Sequence, residues 1–324
     1  LRPARYGFGT INSYINTNRD LHTLGDCWVE GINLGGYSDK TLAVLKFVDE
    51  EGKLIAALLN YGAHATCCIK AKDYDHKGKI SGNFPAYACR FVEKRYGNGC
   101  VCLWTSGPAG NQNPLFAHGL NFEYEDGYTT VIPLPDGVHY TIMECLGRQH
   151  GADASRCLES ITEYRDEMPL LYSEETVELV HRKRTADSCP QEQDVRMGGY
   201  GPRPDSLPYG TLPPVPPMPK FIDDPEHPGK MDMRLFILGD VALLNTNGEM
   251  YAEIGRDMKA ASPYKNIMII THSGKGRTSY IADKTAAGSR VFPALDRNTP
   301  GASDERIVNG VRHIFAKSKK VDQI

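Results

Sequence analysis

No apolar run in this 324-residue chain approaches the roughly 18 to 20 residues needed to cross a bilayer as a helix. Its first residues, LRPARYGFGT, hold no apolar segment of the kind a secretory leader uses. No membrane span is expected. Charge of one sign is lacking too: 37 basic and 40 acidic residues are mixed along the chain and leave a net charge of −3, with no basic stripe to track a phosphate backbone. Nucleic acid is not an expected partner. The nine cysteines contain no CxxC pair, so neither a disulfide framework nor a cysteine zinc site is expected. Reduced thiols packed as small hydrophobes fit a cytoplasmic protein. Compact catalytic signatures are missing as well. There is no HExxH, Ser106 sits in TSGPAG and not in a GxSxG elbow, and the glycines of SGPAGN and HSGKG match neither a P-loop nor a strand-bound GxGxxG.

Forty per cent of the residues are hydrophobic, enough for one large core or two ordinary ones. TLAVLKFVD (41–49) and LIAALL (54–59), joined by EEGK, predict a β-hairpin. Helical spacing of Phe84, Tyr87, Ala88, Phe91 and Val92 with a stop at Gly97 predicts a helix over 84–97. CVCLW (100–104) predicts a short apolar strand, and 105–114 a loop. A long helix is expected over 141–164 and an exposed strand over 173–184. Prolines crowd 186–232, which predicts a flap or insertion without regular structure. Strands at 235–240, 241–246 and 266–271 and helices at 249–262 and 303–317 complete the pattern, and no internal repeat is visible. Such mixing of strands and helices predicts an α/β domain with mixed β-sheets flanked by helices.

Four polar loops each follow an apolar strand: GAHAT, SGPAGNQNP, NTNGE and HSGKGRTSY. Ligands gather at strand ends in sheets of this kind. Residues there that suit a metal are His64, Glu249, His272 and Tyr280, although each also has an ordinary structural reading: a hydrogen-bonded core histidine, a first-turn helix carboxylate, a packing aromatic.

Taken in order, these segments resemble the neutral ceramidase family, zinc-dependent amidases. NYGAHAT is similar to the family's ligand-histidine segment, which maps to His64. NTNGEMYAEIGRDMK resembles the Gly-Glu segment, placing the zinc glutamate at Glu249, and TSYIADKTAA places the zinc tyrosine at Tyr280. TSGPAGNQNP resembles the Gly-Asp-Val-Ser-Pro-Asn motif, with Asn113 where the family has its serine and Asn111 in place of aspartate. The resemblance implies a single ceramidase-like catalytic domain over 1–324, its carboxy-terminal part, with Zn2+ as cofactor. It implies hydrolysis of an amide or related C–N bond by metal-activated water, since asparagine is no nucleophile. Ser106, Gly110 and Asn111 would shape a substrate-binding floor, and Asn113 and His272 would serve the reaction on a small-molecule substrate.

The family's other zinc histidine lies in a His-x-His segment with no counterpart here. A cleaved precursor, a second polypeptide or replacement by His272 would each account for it. A second polypeptide carrying the amino-terminal part, making a hetero-oligomer, is the expectation favoured. The alternative to an enzyme is an inactive binding subunit derived from such a hydrolase.

Overall fold

The computed structural model describes residues 2–23, 27–68, 75, 77, 79–117, 119–185, 199–200, 205, 208–211, 220–273, 280–289, 291, 294 and 303–320. Three strands open the chain, β1 (Arg5–Asn12), β2 (Asn16–Thr23) and β3 (Cys27–Asn33). The expected hairpin follows as β4 (Thr41–Val48) and β5 (Leu54–Tyr61), then α1 (Asn83–Tyr96), β6 (Val101–Ser106) and the short β7 (Gln112–Pro114). A small hairpin of β8 (Leu120–Glu123) and β9 (Thr129–Ile132) leads to the long α2 (Val138–Ser160).

The second half begins with β10 (Leu170–Leu179) and β11 (Arg182–Arg184), then β12 (Gly199–Tyr200) and β13 (Phe221–Asp223). It continues with β14 (Gly229–Leu238), β15 (Val241–Thr246), β16 (Glu249–Met250) and α3 (Ala252–Ala261). β17 (Asn266–Ile270), β18 (Tyr280–Ile281), α4 (Asp304–Ala316) and β19 (Lys319–Lys320) end it.

Period-two alternation sorts these elements into four layers. In the first sheet, ordered β1-β4-β5-β6, Leu42 and Val44 pack with Phe84 and Val92 of α1 and Met143 and Leu158 of α2. Their neighbours Ala43 and Leu45 point the other way, against Val241 of β15 and Met268 of β17. The second sheet is ordered β17-β15-β14-β10-β19. Its far face carries Leu235 and Leu244 onto Ile254 and Met258 of α3 and Val311 and Ile314 of α4. Helices, sheet, sheet, helices is therefore the stacking order. The sheets are mixed because β5 pairs parallel with β6 and β15 parallel with β17, while the hairpin pairings are antiparallel.

An internal repeat that the sequence does not display is visible here. β4-β5-α1-β6 followed by α2 matches β14-β15-α3-β17 followed by α4, each half being a hairpin, a helix, a parallel strand and a further helix. Parallel pairing brings the ends of β5 and β6 to one edge, and those of β15 and β17 likewise. Asn60 of β5 donates to the Ile269 carbonyl at 2.9 Å, and Thr271 N donates to the Ser106 carbonyl at 2.9 Å, so the two edges are stitched together.

Several expectations change. The 105–114 segment is not all loop, since Gln112–Pro114 pairs with Asn16–Asn18 of β2. The 173–184 strand is exposed on one face only: β10 lies between β14 and β19, with Glu174, Thr176 and Glu178 exposed and Ser173, Val177 and Leu179 buried. The helix expected from 249 starts at Ala252. Paired strands fall inside the 186–232 excursion, β12 beside β9, β13 beside β11 and the start of β14 beside β10, while 186–198, 201–204, 206–207 and 212–219 lie outside the described residues. Among the described residues no helix is long and apolar enough to cross a membrane.

Candidate functional site

β5 ends at Tyr61, and three residues on His64 is locked by a single carbonyl. Both His64 N, at 3.0 Å, and His64 Nδ1, at 2.9 Å, lie on Gln112 O of β7. A carbonyl only accepts, so Nδ1 carries a proton and Nε2 is the ring nitrogen that faces the site. Nε2 is 3.2 Å from Glu249 Oε2 and 3.4 Å from the Tyr280 hydroxyl.

Glu249 and Tyr280 are neighbours for a backbone reason. β16 and β18 pair in parallel with Glu249 opposite Tyr280, and Tyr251 N donates to Ile281 O at 3.0 Å. Glu249 is thus a strand residue and not a first-turn helix carboxylate. The structure brings His64, Glu249 and Tyr280 together from three separate segments of the chain.

Burial alone would push the Glu249 carboxyl up, but the hydrogen bond and charge of His64, helped by His272, outweigh it and hold the group below the usual range. Tyr280 moves up, because burial and Glu249 outweigh the opposing charge of Arg19. Glu249 is accordingly an anion and Tyr280 a neutral phenol at pH 7.

His272 follows β17 with φ at 61°, in the left-handed region that few residues adopt. Burial and the charge of His64 lower its imidazole, against the pull of Glu249. It is near enough to feel both, yet its ligand atoms do not gather with theirs: among the described residues the group within 4.8 Å is Asp224, Glu226 and His227.

The other expected residues divide. Asn113 is 2 % exposed, and neither Nδ2 nor Oδ1 has a hydrogen-bond partner. It shares a face of the β2–β7 pair with Thr17, which it opposes, and with Arg19 two residues on. The Thr66 and Thr246 hydroxyls, near His64 and Glu249 in sequence, are also buried without a partner. Asn111, by contrast, is spent on the protein. Its Nδ2 donates to Glu253 Oε2 at 2.8 Å, and its Oδ1 accepts from Gln112 Nε2 at 2.9 Å and Ala252 N at 3.0 Å. Gly110 serves close approach, since a Cβ there would lie 2.6 Å from the Glu249 carbonyl oxygen. Ser106 Oγ donates to the Gly107 carbonyl at 3.2 Å. These last three build the scaffold behind the cluster.

Arg19 was not anticipated from the sequence. It is 4 % exposed, its guanidinium lies 5.0 Å from the centre of the Tyr280 ring, and Nη1 is 3.6 Å from Glu30 Oε1. Burial opposes its charge, but Glu30 and Tyr280 more than restore it, so the group stays cationic. Next to it, burial raises the Asp20 carboxyl to about 6 against the influence of Arg19, and Tyr251 OH donates to it at 2.7 Å.

The donor set suits a divalent cation. With an Nδ1 proton committed to Gln112 O, Nε2 and an anionic oxygen face one another across 3.2 Å, a pair that holds a proton or a cation between them. One nitrogen and two oxygens are ligands zinc accepts.

No family profile and no curated protein matches the sequence. Solved structures do match. A structure described as ceramidase complexed with C2 aligns with a TM-score of 0.64 and 17% identity over 98% of this chain and 54% of that one. The neutral ceramidase from Pseudomonas aeruginosa aligns with a TM-score of 0.62 and 16% identity over 99% and 56%. The chain shares their mixed α/β fold and spans little more than half the length of either.

Proposed function

We propose that this chain is a hydrolase of an amide or related C–N bond, working with one zinc ion held by His64, Glu249 and Tyr280. The observation that carries this reading is the approach of His64 Nε2 to Glu249 Oε2, with the opposite ring nitrogen fixed by the Gln112 carbonyl. Such a carbonyl behind a ligand histidine sets its tautomer and orientation. The ceramidase-like fold supports the reading.

Bound zinc lowers the pKa of water toward neutrality and polarises a carbonyl. The chain's own residues do the rest. Glu249 supplies negative charge to hold a cation and accepts a proton from water. Arg19 fixes the Tyr280 ring and keeps a permanent positive charge behind it, which favours a developing oxyanion. Asn113, with an amide donor and acceptor both unpartnered, orients the substrate amide. His272, at the exposed edge of the cluster, exchanges a proton with solvent. Proline, glycine and charge dominate the sequence of 186–232, which offers few apolar side chains for a long acyl chain, so a small polar amide is the substrate proposed.

A panel of small amides, assayed with the native chain and with His64→Ala, tests this. Turnover should fall by more than about 100-fold in the variant, since outer partners of metal ligands alone are worth about 10–100-fold, and chelation should abolish it reversibly. A zinc-loaded, active H64A protein would sink the assignment. No turnover and no zinc in the native chain would point to a binding subunit instead.

A further inference from the structure

We infer that Lys40 is a positioning residue for His64, acting through Ser38 and Asn16 to fix the two short segments that hold the imidazole. Its part in hydrolysis rests on the proposed zinc site, whereas its hold on His64 does not.

Lys40 stands just before β4, and its ammonium finds three acceptors inside the protein. Nζ is 2.6 Å from Asn16 O, 2.9 Å from Asn16 Oδ1 and 3.0 Å from Ser38 Oγ. An ammonium has three donors, so these bonds use them all. Its acidic neighbour Asp39 turns elsewhere, with Oδ2 2.6 Å from Lys259 Nζ and Oδ1 accepting from Thr41 N at 2.9 Å. Burial lowers the Lys40 ammonium, and the charge of Asp39 offsets part of that. The lysine therefore cross-links neutral oxygens instead of neutralising a carboxylate.

Two arms run from this ammonium to His64. In the first, Ser38 accepts from Lys40 and passes its one hydroxyl hydrogen to Gln112 Oε1 at 2.5 Å. Gln112 is fully buried and spends its amide hydrogens on Tyr37 O at 3.1 Å and Asn111 Oδ1 at 2.9 Å. Its side chain cannot turn without breaking three bonds, and its carbonyl is the one on which His64 N and Nδ1 lie. In the second arm, Lys40 grips both oxygens of Asn16, which leaves the Asn16 amide to donate to Gly62 O at 2.7 Å and Asp39 O at 3.0 Å. Gly62 lies two residues before His64. A Cβ there would stand 2.7 Å from the Pro108 carbonyl oxygen, so the turn that delivers the histidine follows one close-fitting path.

His64 depends on such a device because it belongs to no strand, β5 having ended at Tyr61. Glu249 and Tyr280 are set by the pairing of β16 with β18. The imidazole has the Gln112 carbonyl and the turn from Gly62, and both are tied to Lys40.

The test is the ring N–H of His64 in the metal-free full chain, labelled with 15N-histidine and assigned by its loss in His64→Ala, with circular dichroism to show that each variant is folded. The Nδ1 proton, held on Gln112 O, should exchange slowly with water in the native chain. In Lys40→Met, similar in length and without the charge, exchange should be faster by about tenfold or more, the factor expected on losing a hydrogen bond to a charged group. Ser38→Ala cuts one arm and leaves the lysine; it should act in the same direction and keeps the test open where K40M does not fold. Lys259→Met, which removes only the neighbouring Asp39 contact, should leave the ring proton as it is. K40M should also bind zinc about 10–100-fold more weakly and lose kcat with little change in KM. Native exchange in either variant that folds would overturn the inference, even where stability falls, and so would a native ring proton too fast to observe. A native chain without zinc or turnover would remove the proposed function and leave the ring-proton result to decide the role of Lys40.

Discussion

His150 sits in a fully enclosed pocket of the first half, with Ser13 Oγ 2.8 Å from Nδ1 and the Trp104 indole N–H donating to Nε2 at 3.2 Å. Indole only donates, so Nδ1 holds the proton of a neutral ring and donates it to Ser13. Burial lowers the imidazole from its ordinary 6.5 to about 3. Between these two values the unfolded chain binds a proton that the folded chain refuses, so stability falls as pH drops from about 6.5 toward 3. The slope from this one residue approaches about 1.4 kcal/mol per pH unit. In His150→Gln, whatever its stability at pH 7, urea unfolding at pH 7, 6 and 5 should show a flatter decline. A decline as steep as the native one would contradict it. Residue-scale features of this kind were partly legible. His64, Glu249 and Tyr280 were each readable as metal-suited residues in loops after apolar strands, and family resemblance joined them into one site. Arg19 was hidden because β2 defeats pattern reading: Asn16, Thr17, Asn18, Arg19 and Asp20 are all buried, held by hydrogen bonds and charge with no apolar alternation to mark a strand.

Elements meet the site through their ends. α3 begins at Ala252 with no cap from its own N-cap residue Tyr251, and the missing acceptor comes from Asn111, 141 residues earlier. The same carboxamide fixes Gln112, whose carbonyl orients His64. Asn111→Ala should therefore cost about 1–2 kcal/mol, the usual value of a helix N-cap, seen as a lower urea midpoint with an unchanged slope. A loss under a few tenths of a kcal/mol would show that the cap is dispensable. This long-range cap also explains why the helix boundary was misjudged. Local spacing favours helix from Glu249 onward, but pairing of Glu249 and Met250 with Tyr280 and Ile281 overrides it. Likewise Gln112–Pro114, set among Gly, Pro and Asn, becomes a strand only because β2 offers it a partner.

On the scale of the molecule, two similar halves face each other across the core of Tyr6, Ala43, Leu45, Val241 and Met268. The mixed α/β character and most helices were legible, since hydrophobic period follows burial directly. Their four-layer stacking and the repeat were not, because the halves share an order of elements and not a pattern of residues. The repeat accounts for the site: His64 follows β5 and Glu249 follows β15, the second strand of the hairpin in each half. Zinc content per chain, measured by plasma mass spectrometry on folded native protein and on His64→Ala and Glu249→Gln, tests the central claim most directly. Each variant should lose one equivalent relative to the native chain. Equal zinc in the native chain, H64A and E249Q would contradict a metal at this junction.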